Sequence, residues 1–268
     1  KEMLDINSYF LAKGTITSTR DRLVFLMSHA MLLRSQNAVG MQLPDLFSME
    51  LEDLGLSQCV AIVANIYWGK TNNAGKTEYG SAIRHKDCEL CPVNAFAMYF
   101  FSLYHHQNTP FPNFDTRRNW YDTFLFPSSR NKEGHILYED QCVSYKNVVE
   151  VCGISTSKIT HANRKSGIQM IYHKGVPGDQ LRQVGRWNSD RMVSCYLTGL
   201  PVKAIKVLAG FSTRDGDYFI NRGAIDPPEA LKKQVFPQVE EWQEKFYRKE
   251  IQEDISGPNF LKMLNFLR

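Results

Sequence analysis

The sequence predicts a mainly α-helical domain that carries one small antiparallel β-hairpin, an α+β class of fold. Apolar residues recur at helical spacing through most of the 268 residues, which favours helices. Residues 59–68 instead form a continuous run rich in β-branched and aromatic side chains, which is typical of a strand. The Asn- and Gly-containing residues 69–75 then favour a turn, and residues 77–83 would return as the partner strand.

Helical periodicity and helix-breaking residues place the other elements in order along the chain. Residues 20–39 carry apolar residues at helical spacing, and Pro44 interrupts the pattern. Pro92 begins a helix that extends to Tyr104, because Pro is favoured in the first turn of a helix. The polar, Pro-containing residues 106–135 form a long connection. Helical patterns then cover residues 138–152, 160–173, 178–186 and 189–197, and Pro227-Pro228 precede a last helical stretch with Trp242 and Phe246 on its apolar side.

Composition and charge exclude several classes of protein. A hydrophobic fraction of 43% beside 22% charged residues supplies a sizeable core and excludes wholesale disorder. No apolar run approaches the roughly 20 residues that a membrane-spanning helix needs, which excludes an integral membrane protein. The net charge of +4 is compatible with a nucleic-acid partner. Six scattered cysteines in a chain of this length indicate reduced thiols in the cytosol or nucleus.

The predicted hairpin turn is rich in glycine and lysine. Gly69-Lys70-Thr71 and Gly75-Lys76-Thr77 partly match a phosphate-binding loop, which needs four residues between its glycines and a helix after it. Here five residues separate the two glycines, and a strand is predicted to follow. The turn therefore argues against nucleotide hydrolysis, and no nucleotide cofactor is expected.

His85, Cys88, Cys91 and His105 lie close together in the sequence and raise the question of a zinc site. Cys88 and Cys91 have the spacing of metal ligands, but no second cysteine pair follows at zinc-finger distance. Cys91 directly before a proline is typical of a helix that begins with a small buried cysteine. We therefore expect no metal.

Most of the residues that could carry chemistry lie between positions 160 and 197. His161 and Arg164 are three apart, so they share one face of a helix. Gly185-Arg186-Trp187 leads to Tyr196, nine residues after Trp187. An amphipathic helix pair with two core aromatics would explain each of these residues alone. Their combination with Arg34 and the turn lysine favours a functional site.

In combination, these residues resemble the tyrosine recombinases. Arg34, followed by Leu43, Asp45 and Phe47, resembles the first arginine box of that family, Lys70 is similar to its β-hairpin lysine, His161-x-x-Arg164 resembles its second box, and Gly185 to Tyr196 resembles its terminal box. Trp187 stands where many members have His and others have Trp. All six positions occur in the expected order. The resemblance implies a tyrosine-recombinase-like catalytic domain.

A closer resemblance covers most of the chain and points to one group of fungal proteins. The group comprises the Crypton-type transposon recombinases and the second domain of the large centromere-binding subunit of budding yeasts. The matching motifs are Arg84 to Pro92, Gly185-Arg186-Trp187, Cys195-Tyr196-Leu197, Leu200-Pro201, Ala209-Gly210 and Asp226-Pro227-Pro228. The family's N-terminal core-binding domain has no counterpart here, and the sequence begins at Lys1 without a signal-like stretch, so we expect a part of a longer chain.

The resemblance implies cleavage and rejoining of DNA without metal or ATP. Arg34 and Arg164 would neutralise the phosphorane that forms at the scissile phosphate, because two guanidinium forks suit that charge better than lysines do. Trp187 would donate its indole N–H to a non-bridging oxygen. These three side chains would hold and polarise the phosphate.

The remaining implied roles concern the nucleophile and the protons. Tyr196 would attack the phosphorus and form a 3′-phosphotyrosine, and His161 would help to take the phenol proton. Lys70 would protonate the departing 5′-oxygen, with Lys76 as the alternative donor. A 5′-hydroxyl could then reverse the step.

A set of basic residues around the same region predicts electrostatic contact with double-stranded DNA. These are Lys76, Lys158, Lys165, Lys174, Arg182, Arg186 and Arg191. Two functions stay open: a recombinase of a Crypton-like transposable element, and a catalytically retired DNA-binding scaffold of a centromere or kinetochore. The six groups in register favour the enzyme, and a helical regulator of another class is the third reading. Either DNA-binding function implies a nuclear protein that forms a homo-oligomer on DNA.

Two regions are expected along the chain. Residues 1–200 would form the catalytic and DNA-binding domain, and residues 201–268 a helical extension that packs on it or on a partner. Pro201 and Pro227-Pro228 are candidate hinges in this extension. Its candidate anchors are Phe246, Phe260 and Phe266, and its expected role is self-association or docking of the N-terminal domain.

Overall fold

A three-stranded antiparallel sheet lies among helices in the computed structural model. The structure describes residues 1–67, 77–128, 134–156, 159–187 and 199–268. This architecture confirms the mainly helical α+β class that the sequence predicts. In the described ranges, no helix is both long and apolar enough to cross a membrane.

The helices have the following bounds. They are α1 (Glu2–Lys13), α2 (Ile16–Ala30), α3 (Ser35–Val39), α4 (Pro92–Phe101), α5 (Tyr138–Val151), α6 (Ile159–His173), α7 (Gly178–Gly185), α8 (Val202–Leu208), α9 (Glu229–Val235), α10 (Gln238–Tyr247) and α11 (Ser256–Phe266). Short helical turns cover Leu43–Asp45, Ser102–His106, Arg117–Asn119 and Asn221–Ala224. The predicted helix 189–197 lies outside the described residues.

The sheet consists of β1 (Leu46–Leu51), β2 (Cys59–Ile66) and β3 (Glu78–Ala82), paired in that order. The predicted hairpin of β2 and β3 is confirmed, whereas β1 was not predicted. Its polar Ser48 and Glu50 weaken the strand pattern in the sequence. The segment forms a strand because it pairs with β2.

Both faces of β2 are buried, which explains its unbroken apolar sequence. Ile62 and Ala64 face the main core, which contains residues of α2, α4 and α11. Ala61 and Val63 face a second cluster, which includes residues of α8 and of the segment 209–220. The sheet therefore connects the two parts of the core.

The first predicted helix ends early. Helix α2 stops at Ala30, and α3 begins only at Ser35. Between them Leu32 has a φ of +47°, a left-handed conformation that costs a non-glycine residue about 1–2 kcal/mol. The N–H of Leu33 donates to the Ser28 carbonyl at 3.0 Å, as in a Schellman ending. Because the Leu32 side chain is fully buried among residues of α6, α7 and α8, tertiary packing offsets the backbone cost.

Residues 201–268 pack on the rest of the chain and complete the main core. Phe260 of α11 meets Phe100 of α4 edge-on, with ring centroids 5.9 Å apart. Phe246 of α10 packs against Phe114 with centroids 6.1 Å apart. The guanidinium carbon of Arg84 lies 5.0 Å from the ring centroid of Phe266, so all three expected anchors contact residues of the same chain.

The acid stability of the domain is expected to depend on His29. This side chain is buried on α2, and burial together with the nearby His85 lowers its pKa to about 4. The unfolded side chain has a pKa near 6.5, so it binds protons that the folded one rejects. Stability is therefore lost as the pH falls from about 6.5 to about 4, by about 3 kcal/mol from this group.

Asp45 has the opposite effect, and this provides a matched comparison. Burial raises its pKa from 3.8 to about 6, so its contribution to stability is lost as the pH rises through that range. Relative to the parent, His29→Gln should reduce the acid loss and Asp45→Asn should steepen it. Urea unfolding between pH 4 and 7 measures both slopes. Equal slopes in all three proteins would contradict the assignment.

Candidate functional site

Two buried arginines converge on the turn between α2 and α3. Arg164, on α6, is 8% exposed and donates from its two terminal nitrogens to the carbonyls of Leu32 and Gly185. Arg186, just after α7, is 5% exposed and donates to the Met31 carbonyl at 3.0 Å and to the Leu32 carbonyl. The Leu32 carbonyl therefore accepts hydrogen bonds from both guanidiniums.

The local backbone explains why these groups can meet. A Cβ on Gly167 would lie 2.5 Å from Cδ2 of Leu32, so only a glycine lets α6 approach the turn this closely. Arg186 has a φ of +53° and ends α7 in a left-handed conformation. This conformation redirects the chain after α7 at the point where Arg186 reaches the turn.

Trp187 lies against the same cluster. Its ring centroid is 5.8 Å from the guanidinium carbon of Arg164, a cation–π distance. A Cβ on Gly185 would lie 2.8 Å from Cε3 of Trp187, so the ring needs a glycine beneath it. The backbone N–H of Trp187 donates to the Arg182 carbonyl at 3.0 Å. The Trp187 ring therefore packs against the Arg164 guanidinium and helps to fix its orientation.

The cluster carries an excess of positive charge. Burial, together with the neighbouring Arg34, lowers the pKa of Arg164 to about 10. Burial lowers the pKa of Arg186 to about 9, with added repulsion from Arg164 and Arg34. The carboxylate of Glu78, at the start of β3, partly offsets the lowering of both pKa values. Among the described residues, three guanidiniums thus act on one another near the Glu78 carboxylate, an arrangement that an anion would stabilise.

The structure brings four of the sequence-predicted site residues together, namely Arg34, Arg164, Arg186 and Trp187. Arg34 is half-buried at the N-terminal cap of α3. His161 is exposed one turn before Arg164 on α6, and Lys165 is exposed directly after it.

Other predicted residues lie farther away or outside the described ranges. Lys174 lines a cavity of about 480 Å³ together with Lys86 and Phe219, beyond the C-terminal end of α6. Arg182 is half-buried on α7. Five of the predicted site residues lie outside the described ranges, namely Lys70, Lys76, Lys158, Arg191 and Tyr196.

The sequence predicts that Arg186 contacts DNA phosphate, and this stays a prediction. In the structure both terminal nitrogens donate to backbone carbonyls and the side chain is almost fully buried. Sequence reasoning also missed Glu78 and the Leu32 carbonyl. No sequence signal could have identified the carbonyl, because every residue has one and its direction depends on the left-handed turn.

The alternative sites proposed from sequence have little support in the described residues. The segment after the Gly- and Lys-rich turn is strand β3, so no helix begins there to hold a phosphate. No group of three or more His, Cys, Asp or Glu side chains in the described ranges could hold a metal. Cys91 instead caps α4, where its sulfur accepts the N–H of Asn94 at 3.5 Å.

Comparisons with known proteins identify a family and a shared fold. The family described as "Centromere DNA-binding protein complex CBF3 subunit, domain 2" matches residues 6–268. No curated protein matches the sequence.

Among solved structures, the chain is similar to recombinases bound to DNA junctions. "FLP Recombinase-Holliday Junction Complex I" has a TM-score of 0.56 and 14% identity, over 100% of this chain and 63% of that one. "Flpe-Holliday Junction Complex" has a TM-score of 0.56 and 14% identity, over 99% of this chain and 61% of that one. This chain thus spans less than two thirds of either protein. At this identity the likeness establishes the fold of the tyrosine recombinases and not an activity.

Proposed function

We propose that this chain, which belongs to the family of the centromere DNA-binding protein complex CBF3 subunit, domain 2, binds double-stranded DNA with a backbone phosphate at the arginine cluster. The observation that supports this most strongly is the convergence of Arg34 and Arg164 beside Arg186, an excess of buried positive charge. A guanidinium has five N–H donors, so the two carbonyl bonds of Arg164 leave further donors for an anion. A phosphodiester oxygen is a suitable acceptor for them.

We further propose that the site breaks and rejoins DNA strands, as in a Crypton-like recombinase. The Tyr196 oxygen would attack phosphorus while the bond to the 5′-oxygen breaks. The phenol proton would pass to His161, and Lys70, or Lys76 in its place, would protonate the leaving oxygen. Arg34 and Arg164 would stabilise the phosphorane, and the Trp187 indole N–H would donate to a non-bridging oxygen. The 3′-phosphotyrosine that results would be released by attack of a 5′-hydroxyl.

A second candidate function is a DNA-binding scaffold without cleavage, and the family's description favours it. The same arginines would then hold phosphate only, and Tyr196 would pack. Both functions place the chain in the nucleus as a homo-oligomer on DNA. Further phosphate contacts would come from Lys165, Lys174, Arg182, Lys158 and Arg191.

A suicide-substrate assay distinguishes the two functions. Duplexes with a nick or a bridging phosphorothiolate, carrying element termini or centromere DNA, would be incubated with the parent protein and with Tyr196→Phe. The exposed Tyr172, 70% accessible on α6, provides the matched control Tyr172→Phe. We expect an SDS-resistant adduct that is absent only in Tyr196→Phe.

Two other outcomes of this assay would each contradict part of the proposal. Tight binding without an adduct in any of the three proteins would overturn the enzyme and leave the scaffold. Failure of all three proteins to bind either duplex would overturn the DNA-binding proposal itself.

A further inference from the structure

Arg186 is a buried cation whose described hydrogen bonds are to neutral groups. Its terminal nitrogens donate to the carbonyls of Met31 and Leu32, and two other guanidiniums lie near it. Burying a charge is costly, and none of the described hydrogen bonds of Arg186 is to a carboxylate. Both terminal nitrogens are instead engaged with the turn after α2, which gives Arg186 a structural role whether or not it also contacts DNA.

The partners of Arg186 are the backbone groups that determine where the other arginines lie. Met31 and Leu32 directly follow α2, and a helix C-terminus has unpaired carbonyls and partial negative charge that attract cations. The Leu32 carbonyl also accepts from Arg164. Arg34 lies two residues farther along the same turn.

We infer that Arg186 is a positioning residue, which fixes the turn after α2 so that Arg34 and Arg164 reach one phosphate. The inference deepens the proposed function and rests on it. The guanidinium of Arg186 donates to two consecutive carbonyls from two separate nitrogens held in one plane, a geometry that the single nitrogen of a lysine ammonium does not reproduce. Leu32 also holds the turn, because its side chain packs against α6 at Gly167, where there is no side chain in the way.

The decisive variant is Arg186→Lys, which keeps the charge but removes the fork. If Arg186 acted only through its charge, lysine would preserve DNA binding. If it positions the turn, Arg186→Lys should weaken binding about tenfold to a hundredfold, because the charge-assisted hydrogen bonds from Arg34 and Arg164 to one phosphate would be lost or weakened. Fluorescence anisotropy with a short duplex measures the affinity. Lys233→Met is the matched control, since it removes an exposed charge that is not among the proposed phosphate contacts and should have a much smaller effect.

Gly167→Ala tests the same turn without changing any charge. The added Cβ would lie 2.5 Å from Cδ2 of the fully buried Leu32 and 3.3 Å from the His29 carbonyl oxygen, so we expect the turn to shift and the loss of affinity to resemble that of Arg186→Lys. This second variant also decides the question if Arg186→Lys fails to fold. Parent-like affinity in Arg186→Lys, or in Gly167→Ala, would overturn the inference.

A readout without DNA separates this inference from the proposed function. In the parent, the side-chain N–H signals of Arg34 and Arg164 in NMR spectra should be sharp and protected from exchange. In Arg186→Lys they should broaden, while those of the distant Arg117 should not. If the parent binds no DNA but the signals change as expected, the proposed function fails and the positioning role stands. Unchanged signals would exclude the positioning role even where the parent binds DNA.

Discussion

Arg164→Lys is expected to abolish most DNA cleavage, lowering the rate of adduct formation by about 10² to 10³. The guanidinium donates to the carbonyls of Leu32 and Gly185 and also lies over the Trp187 ring. An ammonium cannot hold both carbonyls and still present a planar fork to a phosphate. Single-turnover rates on the phosphorothiolate duplex measure the effect.

The neighbouring residue supplies the control for this prediction. Lys165→Arg is a change of the same kind at an exposed position of α6, and its rate should stay within about twofold of the parent. If the chain is a scaffold, Arg164→Lys should instead lower DNA affinity by about tenfold, as expected for a lost charge-assisted pair of 1–3 kcal/mol. A variant with the parent's rate and the parent's affinity would show that Arg164 does not contact phosphate.

Truncation after Gly223 is expected to prevent folding. It removes α9, α10, α11 and the residues that connect them, and the fully buried side chains lost include Phe236, Val239, Phe260, Leu261, Met263 and Leu264. Each large apolar side chain contributes about 1.5–3 kcal/mol on burial, so their sum approaches or exceeds a typical stability of about 5–15 kcal/mol. Solubility on expression and the far-UV circular dichroism of the purified fragment test this. A soluble fragment that unfolds cooperatively at the parent's midpoint would contradict it.

Single substitutions in the full chain show whether loss of core packing is the reason that the truncated chain would not fold. Phe260→Ala should lower the free energy of unfolding by about 3–5 kcal/mol, since its ring lies between Phe100, Phe114 and Trp120. Tyr247→Ser, at an 84% exposed position of α10, should have almost no effect. Urea unfolding of both variants measures the difference. Similar losses in the two would attribute the effect of truncation to something other than the core.

The secondary structure was predictable wherever one local pattern decided it. The strand β2 was recognised because a continuous apolar run suits a strand buried on both faces. Strand β1 was missed because Ser48 and Glu50 interrupt its pattern and its pairing partner lies elsewhere in the chain. The break after Ala30 was missed for a related reason. Apolar periodicity continues through Leu32, and only burial against distant helices compensates the left-handed backbone there.

Residue types and their order along the chain were enough to select the candidate site. Arg34, Arg164 and Trp187 could be selected because guanidiniums and an indole N–H are suited to phosphate, and their spacing matched a known pattern. Only the tertiary structure decided that Arg186 faces inward, and that Glu78 lies beside the arginines. Those placements depend on where α6, the end of α7 and the turn after α2 meet. Such contacts join residues more than 100 positions apart, so no local pattern encodes them.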